Sequence, residues 1–325
     1  MKKTFPPRVR RVLDDLAAAL RSFGIDRDDR VVLAYSGGLD SAALLWALCH
    51  LHPHRRPAVE AVCVDHGLRE DSGAQARRAI EVARSMGVEG RVLRVACEGE
   101  GGVEAAARKA RYAALARVAE GRPILTAHTA DDQAETVLYR LAKGAGLRGL
   151  GAIRPQARLE GGRVLRPFLG VRRAALEEVV RYAGIPVIED ATNLSRRYVR
   201  NRIRMDVLPA LEAAVPGASA ALARAARLAQ RDEDYLSRRA ARWSRRLRRG
   251  DGWDARGLVR LPRALASRLV RDAIVEARGR PPTARQIEQV LELLGRGGEI
   301  RLCDEWVAVC RQRIFSIRRQ RMERD

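Results

Sequence analysis

A chain of 325 residues with 46% hydrophobic content is long enough for a large core and two domains, and its composition is that of a soluble globular protein. No stretch approaches 18 consecutive apolar residues, and the basic start Met1-Lys2-Lys3-Thr4-Phe5-Pro6-Pro7 has no apolar signal core. A membrane partner is thereby excluded and a cytoplasmic location expected. Lys and Arg total 62 against 40 Asp and Glu, a net charge of +22 that points to a polyanionic partner such as nucleic acid. Lys occurs only at 2, 3, 109 and 143, so an Arg-rich compositional bias is the competing source of that charge.

In chain order, residues 8–22 read as an amphipathic helix with Val12, Leu13, Leu16, Ala19 and Leu20 on one face. Strands at 31–35, 59–64, 91–95 and 123–126 then alternate with helices near 41–51, 72–86, 103–119 and 131–142. Near-continuous apolar strands alternating with helices predict an α/β domain, a doubly wound parallel sheet covered on both faces. Ligands in such sheets bind beyond the carboxyl ends of the strands.

The first strand end is Tyr35-Ser36-Gly37-Gly38-Leu39-Asp40-Ser41. A strand, a glycine turn and a helix start form an anion site, though with no Walker-type Lys. Ser36 and Ser41 can donate to phosphate oxygens. Asp40 facing a phosphate needs a cation between them, and Mg²⁺ suits that place. An ordinary turn capped by Asp or Ser is the alternative.

The second strand ends in Val64-Asp65-His66-Gly67-Leu68-Arg69, where Asp65 can serve as a cap. A Gly-rich loop at 99–102 precedes a helix with Glu104, Arg108 and Arg111 on one face, either a solvated salt-bridge face or a brace for a triphosphate. The fourth strand runs through His128 into Asp131, Asp132 and Glu135. Capping explains one acidic residue there; three suit Mg²⁺ or a cationic substrate. Gly144 to Gly151 is a mobile loop or a tight connection.

A helix at 172–183 and a short fifth strand at 185–188 lead to Glu189-Asp190, and then to Arg200, Asn201 and Arg204. Those last three suit phosphate or base contacts, or else form a charged linker.

The five cysteines, at 49, 63, 97, 303 and 310, include no Cys-x-x-Cys pair, and neither a disulfide nor a zinc site is expected. Cys303 is expected to face Trp306 in a hairpin at 299–310. The run Cys49-His50-Leu51-His52-Pro53-His54 reads as a solvated helix end.

Ser36-Gly37-Gly38-Leu39-Asp40-Ser41 resembles the pyrophosphate loop of the N-type ATP pyrophosphatases, which split ATP between the α and β phosphates. The further set narrows the resemblance. It comprises Val64-Asp65-His66-Gly67-Leu68-Arg69, Ala106-Ala107-Arg108 with Arg111-Tyr112, Ala127-His128 with Asp131 to Thr136, Arg166-Pro167, Glu189-Asp190 with Thr192-Asn193, and Arg200 to Arg204. Together these are similar to the tRNA(Ile)-lysidine synthetase family over about residues 30–205.

The resemblance implies ATP and Mg²⁺ as cofactors, L-lysine as substrate, and an isoleucine tRNA with a CAU anticodon as partner. It assigns Ser36, Gly37, Gly38, Leu39, Asp40 and Ser41 to pyrophosphate and Asp40 to the metal. Arg108, Arg111 and His128 join Asp40 in catalysis, and Asp132 and Glu135 receive lysine. A homodimer is left open.

Residues 206–325 hold 26 Arg, no Lys and 16 acidic residues. A long helix at 217–249 ends in Arg242, Arg245, Arg246 and Arg249, expected to meet tRNA. Helices at 261–278 and 283–294 and the hairpin complete a smaller, mainly helical domain. Domains 1–208 (catalytic) and 209–325 (tRNA-binding) follow, and the chain looks like a short form without a further C-terminal domain.

Three rivals share parts of this pattern. A tRNA thiolase would need paired cysteines. A small-molecule amidating synthetase would not need the basic tail, and an RNA-binding module would not need the carboxylates.

Overall fold

The computed structural model describes residues 5–67, 71–95, 103–188, 196, 199–303 and 305–320, without the side chains of 103–105. Arg69, the side chain of Glu104, Cys97, the loop at 99–102, and Glu189, Asp190, Thr192 and Asn193 lie outside the described residues. The chain divides into two compact units, Met1–Ala229 and Gln230–Asp325.

In the first unit the order is α1 (Pro7–Ser22), β1 (Arg30–Ala34), α2 (Leu39–Cys49), β2 (Ala58–Asp65), α3 (Ser72–Ser85), β3 (Glu89–Arg94), α4 (Val103–Ala119), β4 (Ile124–Leu125) and α5 (Ala130–Ala142). There follow a single turn α6 (Leu147–Leu150), a hairpin β5 (Gln156–Leu159) and β6 (Gly162–Leu165), α7 (Arg173–Ala183), α8 (Val199–Arg202), a π-helical turn Ile203–Val207, and α9 (Leu208–Ala214). The sheet order is β3-β2-β1-β4-β6-β5, parallel except for β5 at the edge.

β1 is the hub of this sheet. Its Val31, Val32 and Leu33 are all fully buried, and successive side chains feed opposite cores. Val31, Leu33 and Tyr35 pack with residues of α1, α2, α3 and α7, while Val32 packs with Tyr112 and Leu115 of α4. The sheet grows to one side through β2 and to the other through β4, so the crevice beyond β1 is the topological switch point.

The strand expected at 185–188 is not in the sheet. Pro186 has no N–H to give to a ladder, and β6 already occupies the free edge of β4, pairing Ile124 with Val164. The segment instead lies extended over the glycine loop, where the Ile188 N–H donates to the Gly37 carbonyl at 3.0 Å. The β5–β6 hairpin was not anticipated from sequence. It turns on Glu160 and Gly161, both at positive φ (47° and 84°), the form two-residue hairpins favour.

Residues 144–151 make the tight connection rather than the mobile loop. Arg140 Nη1 donates to the Gly149 and Ala152 carbonyls at 3.0 and 3.1 Å and ties it to α5.

α10 (Ala218–Leu247) carries the chain into the second unit. There β7 (Arg248–Arg249), β8 (Gly252–Asp254), α11 (Ala255–Val259), α12 (Arg263–Arg278), α13 (Ala284–Arg296), β9 (Gly298–Cys303), β10 (Trp306–Arg311) and β11 (Ile314–Arg319) follow. The expected hairpin is part of a five-stranded antiparallel sheet, order β7-β8-β11-β10-β9, so this mainly helical part also carries a sheet. Cys303 stands opposite Trp306. No helix among the described residues is long and apolar enough to cross a membrane.

Candidate active site

A cleft of about 510 Å³ opens beyond the carboxyl ends of β1, β2 and β4. Its lining includes Ser36, Gly38, Leu39, Asp40 and Ser41 from the glycine loop, Arg111 from α4, and His128 and Asp132 from the β4–α5 connection. The loop is built for close approach. Gly37 sits at φ +77°, and a Cβ there would come within 2.9 Å of Ile188 and 3.0 Å of Ala79. The serines brace the turn: Ser41 Oγ donates to the Gly38 carbonyl at 2.9 Å and lies 3.2 Å from Ser36 Oγ.

Asp40, in the first turn of α2, is the anomaly. Among the described residues its Oδ1 is buried without a hydrogen-bond partner, and its Oδ2 pairs with Arg173 at 3.7 Å. Burial pushes its pKa up to about 6, a rise that Arg173 opposes and Asp132 reinforces. A half-buried carboxylate with one orphaned oxygen, at a helix start that follows a glycine turn, fits a divalent cation. Mg²⁺ takes one or two protein carboxylates and completes its shell with phosphate and water oxygens. Among the described residues no group of three His, Cys, Asp or Glu could hold a metal by itself, so the phosphates would have to supply the remaining ligands.

α5 organises the opposite wall. Thr129 caps it, with Thr129 N and Oγ donating to Asp132 Oδ2 at 2.7 and 2.9 Å. The capping acid is thus Asp132. Its other oxygen, Oδ1, accepts from Arg200 at 2.9 Å and Arg204 at 3.4 Å. Glu135, one turn on and 1% exposed, is clamped by Arg200 Nε at 2.9 Å and Arg204 Nε at 2.5 Å. The two arginines reach it from α8 and the π-helical turn, a feature that commonly marks functional segments. Asn201, between them, is half-buried.

Asp131 does not cap α5 through its side chain. It accepts from Arg172 Nε at 3.1 Å and from the Arg173 amide at 2.7 Å, and so ties α5 to the start of α7.

The three carboxylates therefore part company. Asp132 lines the cleft, while Asp131 and Glu135 line a second cavity of about 380 Å³, and Arg173 and Arg204 line both. His128 accepts or donates at 2.8 Å with Thr126 Oγ. Burial, with Arg166, Arg108 and Arg200 nearby, pushes its pKa down to about 3 against the pull of Asp132, so it is a neutral imidazole near pH 7. Arg108 and Arg111 lie over the Tyr112 ring at 4.9 and 5.4 Å; Arg111 faces the cleft and Arg108 is exposed. Asp65 accepts from the Gly67 amide at 2.9 Å. Burial alone would raise its pKa, but hydrogen bonds from Ser72 and Gly67 outweigh that and hold it low.

Sequence reasoning missed Arg172 and Arg173. A signal was present: two arginines opening a helix run against its dipole, which calls for acidic neighbours.

The residues expected to meet RNA in the second unit, Arg242, Arg245 and Arg246 of α10, are exposed. Arg249 lies in β7, where its Nη1 donates to the carbonyls of Arg246 and Arg248.

A PP-loop domain model matches residues 7–211, and a TilS substrate binding domain model matches residues 254–320. A tRNA(Ile)-lysidine synthase of Thermobifida fusca is 39% identical over 93% of this chain and 91% of its own. The chain belongs to the tRNA(Ile)-lysidine synthase family. Another member, from Mycolicibacterium paratuberculosis, is 38% identical over 87% of each chain. Among solved structures, the U34-tRNA thiolase NcsA from Methanococcus maripaludis aligns with a TM-score of 0.58 at 16% identity, over 69% of this chain and 79% of that one. At that identity the likeness is one of fold. The PP-loop domain match contains the Ser36–Ser41 segment, of which Ser36, Gly38, Leu39, Asp40 and Ser41 line the cleft.

Proposed function

We propose that the chain joins L-lysine to C2 of the wobble cytidine of an isoleucine tRNA, with ATP consumed to AMP and pyrophosphate. The observation that carries the reading is Asp40: a half-buried carboxylate with one buried oxygen that has no hydrogen-bond partner among the described residues, in a chain that belongs to this family over most of its length.

In the first step cytosine O2 attacks the α-phosphorus and pyrophosphate leaves. In the second the lysine ε-amine attacks C2, the C2–O2 bond breaks, and AMP departs with O2. The loop amides and Ser36 and Ser41 hold the pyrophosphate oxygens, and Arg111 stabilises charge developing at the α-phosphoryl group. Arg108, beside it on Tyr112, adds positive potential. Mg²⁺ held by Asp40 would supply charge neutralisation to the triphosphate when bound.

Asp132 and Glu135 are the proposed acceptors of lysine. The two carboxylates already bind Arg200 and Arg204, and that pairing has a chemical use. An ammonium placed beside two guanidinium groups loses its proton more readily, and the attacking species must be the free amine. Arg200 and Arg204, with Asn201, then also stand ready to meet RNA phosphate or base edges.

The test is to measure pyrophosphate release and labelled-lysine incorporation with each substrate left out in turn. Release that needs tRNA, and label that needs lysine, is the expected result. Release supported by ammonia or a sulfur donor in place of lysine would assign the chain to another reaction.

A further inference from the structure

Within the second unit α10 has two unlike faces. Glu233, Ala240 and Leu247, seven residues apart, are buried, and Glu233 is held by Arg268 at 2.5 Å and by Ser237 at 3.0 Å. On the other side Arg231, Tyr235, Arg238, Arg239, Arg242 and Arg246 are all exposed. They fall at −4, +3, +4, +7 and +11 from Tyr235, which puts them on one strip of the helix. Tyr235 itself is 57% exposed. Arg231, Arg238, Arg239 and Arg242 have no carboxylate partner among the described residues, and the one acid on the strip is the exposed Asp232.

Tyr235 belongs to none of the hydrophobic clusters among the described residues, so its ring is available at the centre of the arginine strip. From Arg231 to Arg246 the strip runs about 22 Å along the helix axis. At 3.4 Å per nucleotide this corresponds to about six nucleotides of one strand. Guanidinium groups in a row suit successive phosphates. A ring among them suits the π-face of a base, and only a base free of its duplex partner can turn onto it. Charge decides the class of partner, and the ring decides which kind of RNA segment it is.

We propose that this strip docks RNA, with Tyr235 stacking on an unpaired base of the tRNA substrate while Arg231, Arg238, Arg239 and Arg242 hold the flanking phosphates. The proposal rests on the reading of the chain as a tRNA-modifying enzyme and adds to it a base-stacking contact in Gln230–Asp325.

The experiment compares tRNA affinity, by fluorescence anisotropy across a salt series, for the full chain, Y235A, Y235W and the triple variant R238A/R239A/R242A. Y235A should weaken binding about 5- to 150-fold with the salt slope unchanged. Y235W should restore affinity, and the triple variant should flatten the slope by about 2. A fully paired RNA duplex should bind Y235A and the full chain alike.

Y235A binding tRNA as tightly as the full chain overturns the proposal, and so does Y235W remaining as weak as Y235A, or an equal loss on the duplex. If the salt slope survives the triple variant, the strip faces a different class of partner. Pyrophosphate release by the unaltered chain is followed in parallel. Its failure to depend on tRNA would overturn the enzymatic reading, while the affinities still judge the strip.

Discussion

On the proposed function, Asp40 acts in opposite directions on stability and on catalysis. Its carboxyl is an acid whose pKa is raised by burial from 3.8 to about 6, so between those values the folded chain holds a proton that the unfolded chain has lost. Stability therefore falls as pH rises through that window and is flat above it, with a cost on the order of 2–3 kcal/mol. Asp40→Asn removes the titration. The variant should be more stable than the native chain above pH 6, by up to that amount, with the difference shrinking to nothing near pH 4. It should also fail in tRNA-dependent pyrophosphate release. Urea unfolding of both chains from pH 4 to 7 checks the first part; a pH-independent difference would mean that Asp40 is not the buried acid described here. His128, pushed down to about 3, does not titrate near neutrality. The acid limb of activity is thus expected near pH 6, to persist in His128→Gln, and to move to lower pH as Mg²⁺ is raised, because cation and proton compete for Asp40. A limb that vanishes with His128 would reverse the assignment.

At the scale of elements, α5 joins the cap, the clamp and the tie to α7. Asp131→Asn weakens the hold on the Arg173 amide and on Arg172, and should lower stability by about 1.5–3 kcal/mol, the worth of hydrogen bonds to a charged group, with the lysine dependence unmoved. Glu135→Gln removes the charge that Arg200 and Arg204 share. By the cost of breaking a desolvated charge pair, about 2–5 kcal/mol, it should reduce lysine use by about 30-fold to several thousand-fold while adenylation of tRNA survives. Labelled-lysine incorporation over a range of lysine concentrations separates the two; a raised lysine KM in Asp131→Asn alone would move the lysine site from Asp132 and Glu135 to Asp131. Much of this element was legible in the sequence, because Thr129 followed by Asp132 is a capping pattern and the strand before it is apolar. Which acid caps and which pairs was not legible. That depends on Arg172, Arg200 and Arg204, which lie 41 to 69 residues further along the chain. The same distance problem hid β6: its Val164 and Leu165 read as a short apolar run until β4 supplies the neighbour. The central strand, read from Val31 to Leu33, needed no such partner to be recognised.

For the whole molecule, a charge of +22 must be either solvated or used. In Gln230–Asp325 several arginines are spent locally: Arg268 on buried Glu233, Arg311 on Glu299 at 2.9 Å and Arg319 on Glu305 at 3.0 Å. Arg248 lies over the Trp253 ring at 4.3 Å. The exposed pairs of Arg311 and Arg319 contribute little to stability, but all four contacts remove their arginines from the pool available to RNA. Among the described residues Arg242 and Arg245 have no such partner, and the Arg246 guanidinium lies over the Trp243 ring at 5.4 Å. Arg249 is partly consumed by the carbonyls of Arg246 and Arg248, so its contribution should be the smallest of the four. Replacing Arg242, Arg245, Arg246 and Arg249 together with Ala should therefore remove about three phosphate contacts. At roughly 0.7 to 0.9 per contact, the slope of log K against log salt should flatten by about 2 to 3. Affinity should drop most at low salt and converge on the native value as salt rises, since the lost contribution is counterion release. Because the four side chains are exposed or on a short edge strand, thermal unfolding should be nearly unchanged. Filter binding of tRNA between 50 and 300 mM KCl reads the slope directly, and a quadruple variant with the native slope would make this arginine run a solvated face and put the RNA surface elsewhere.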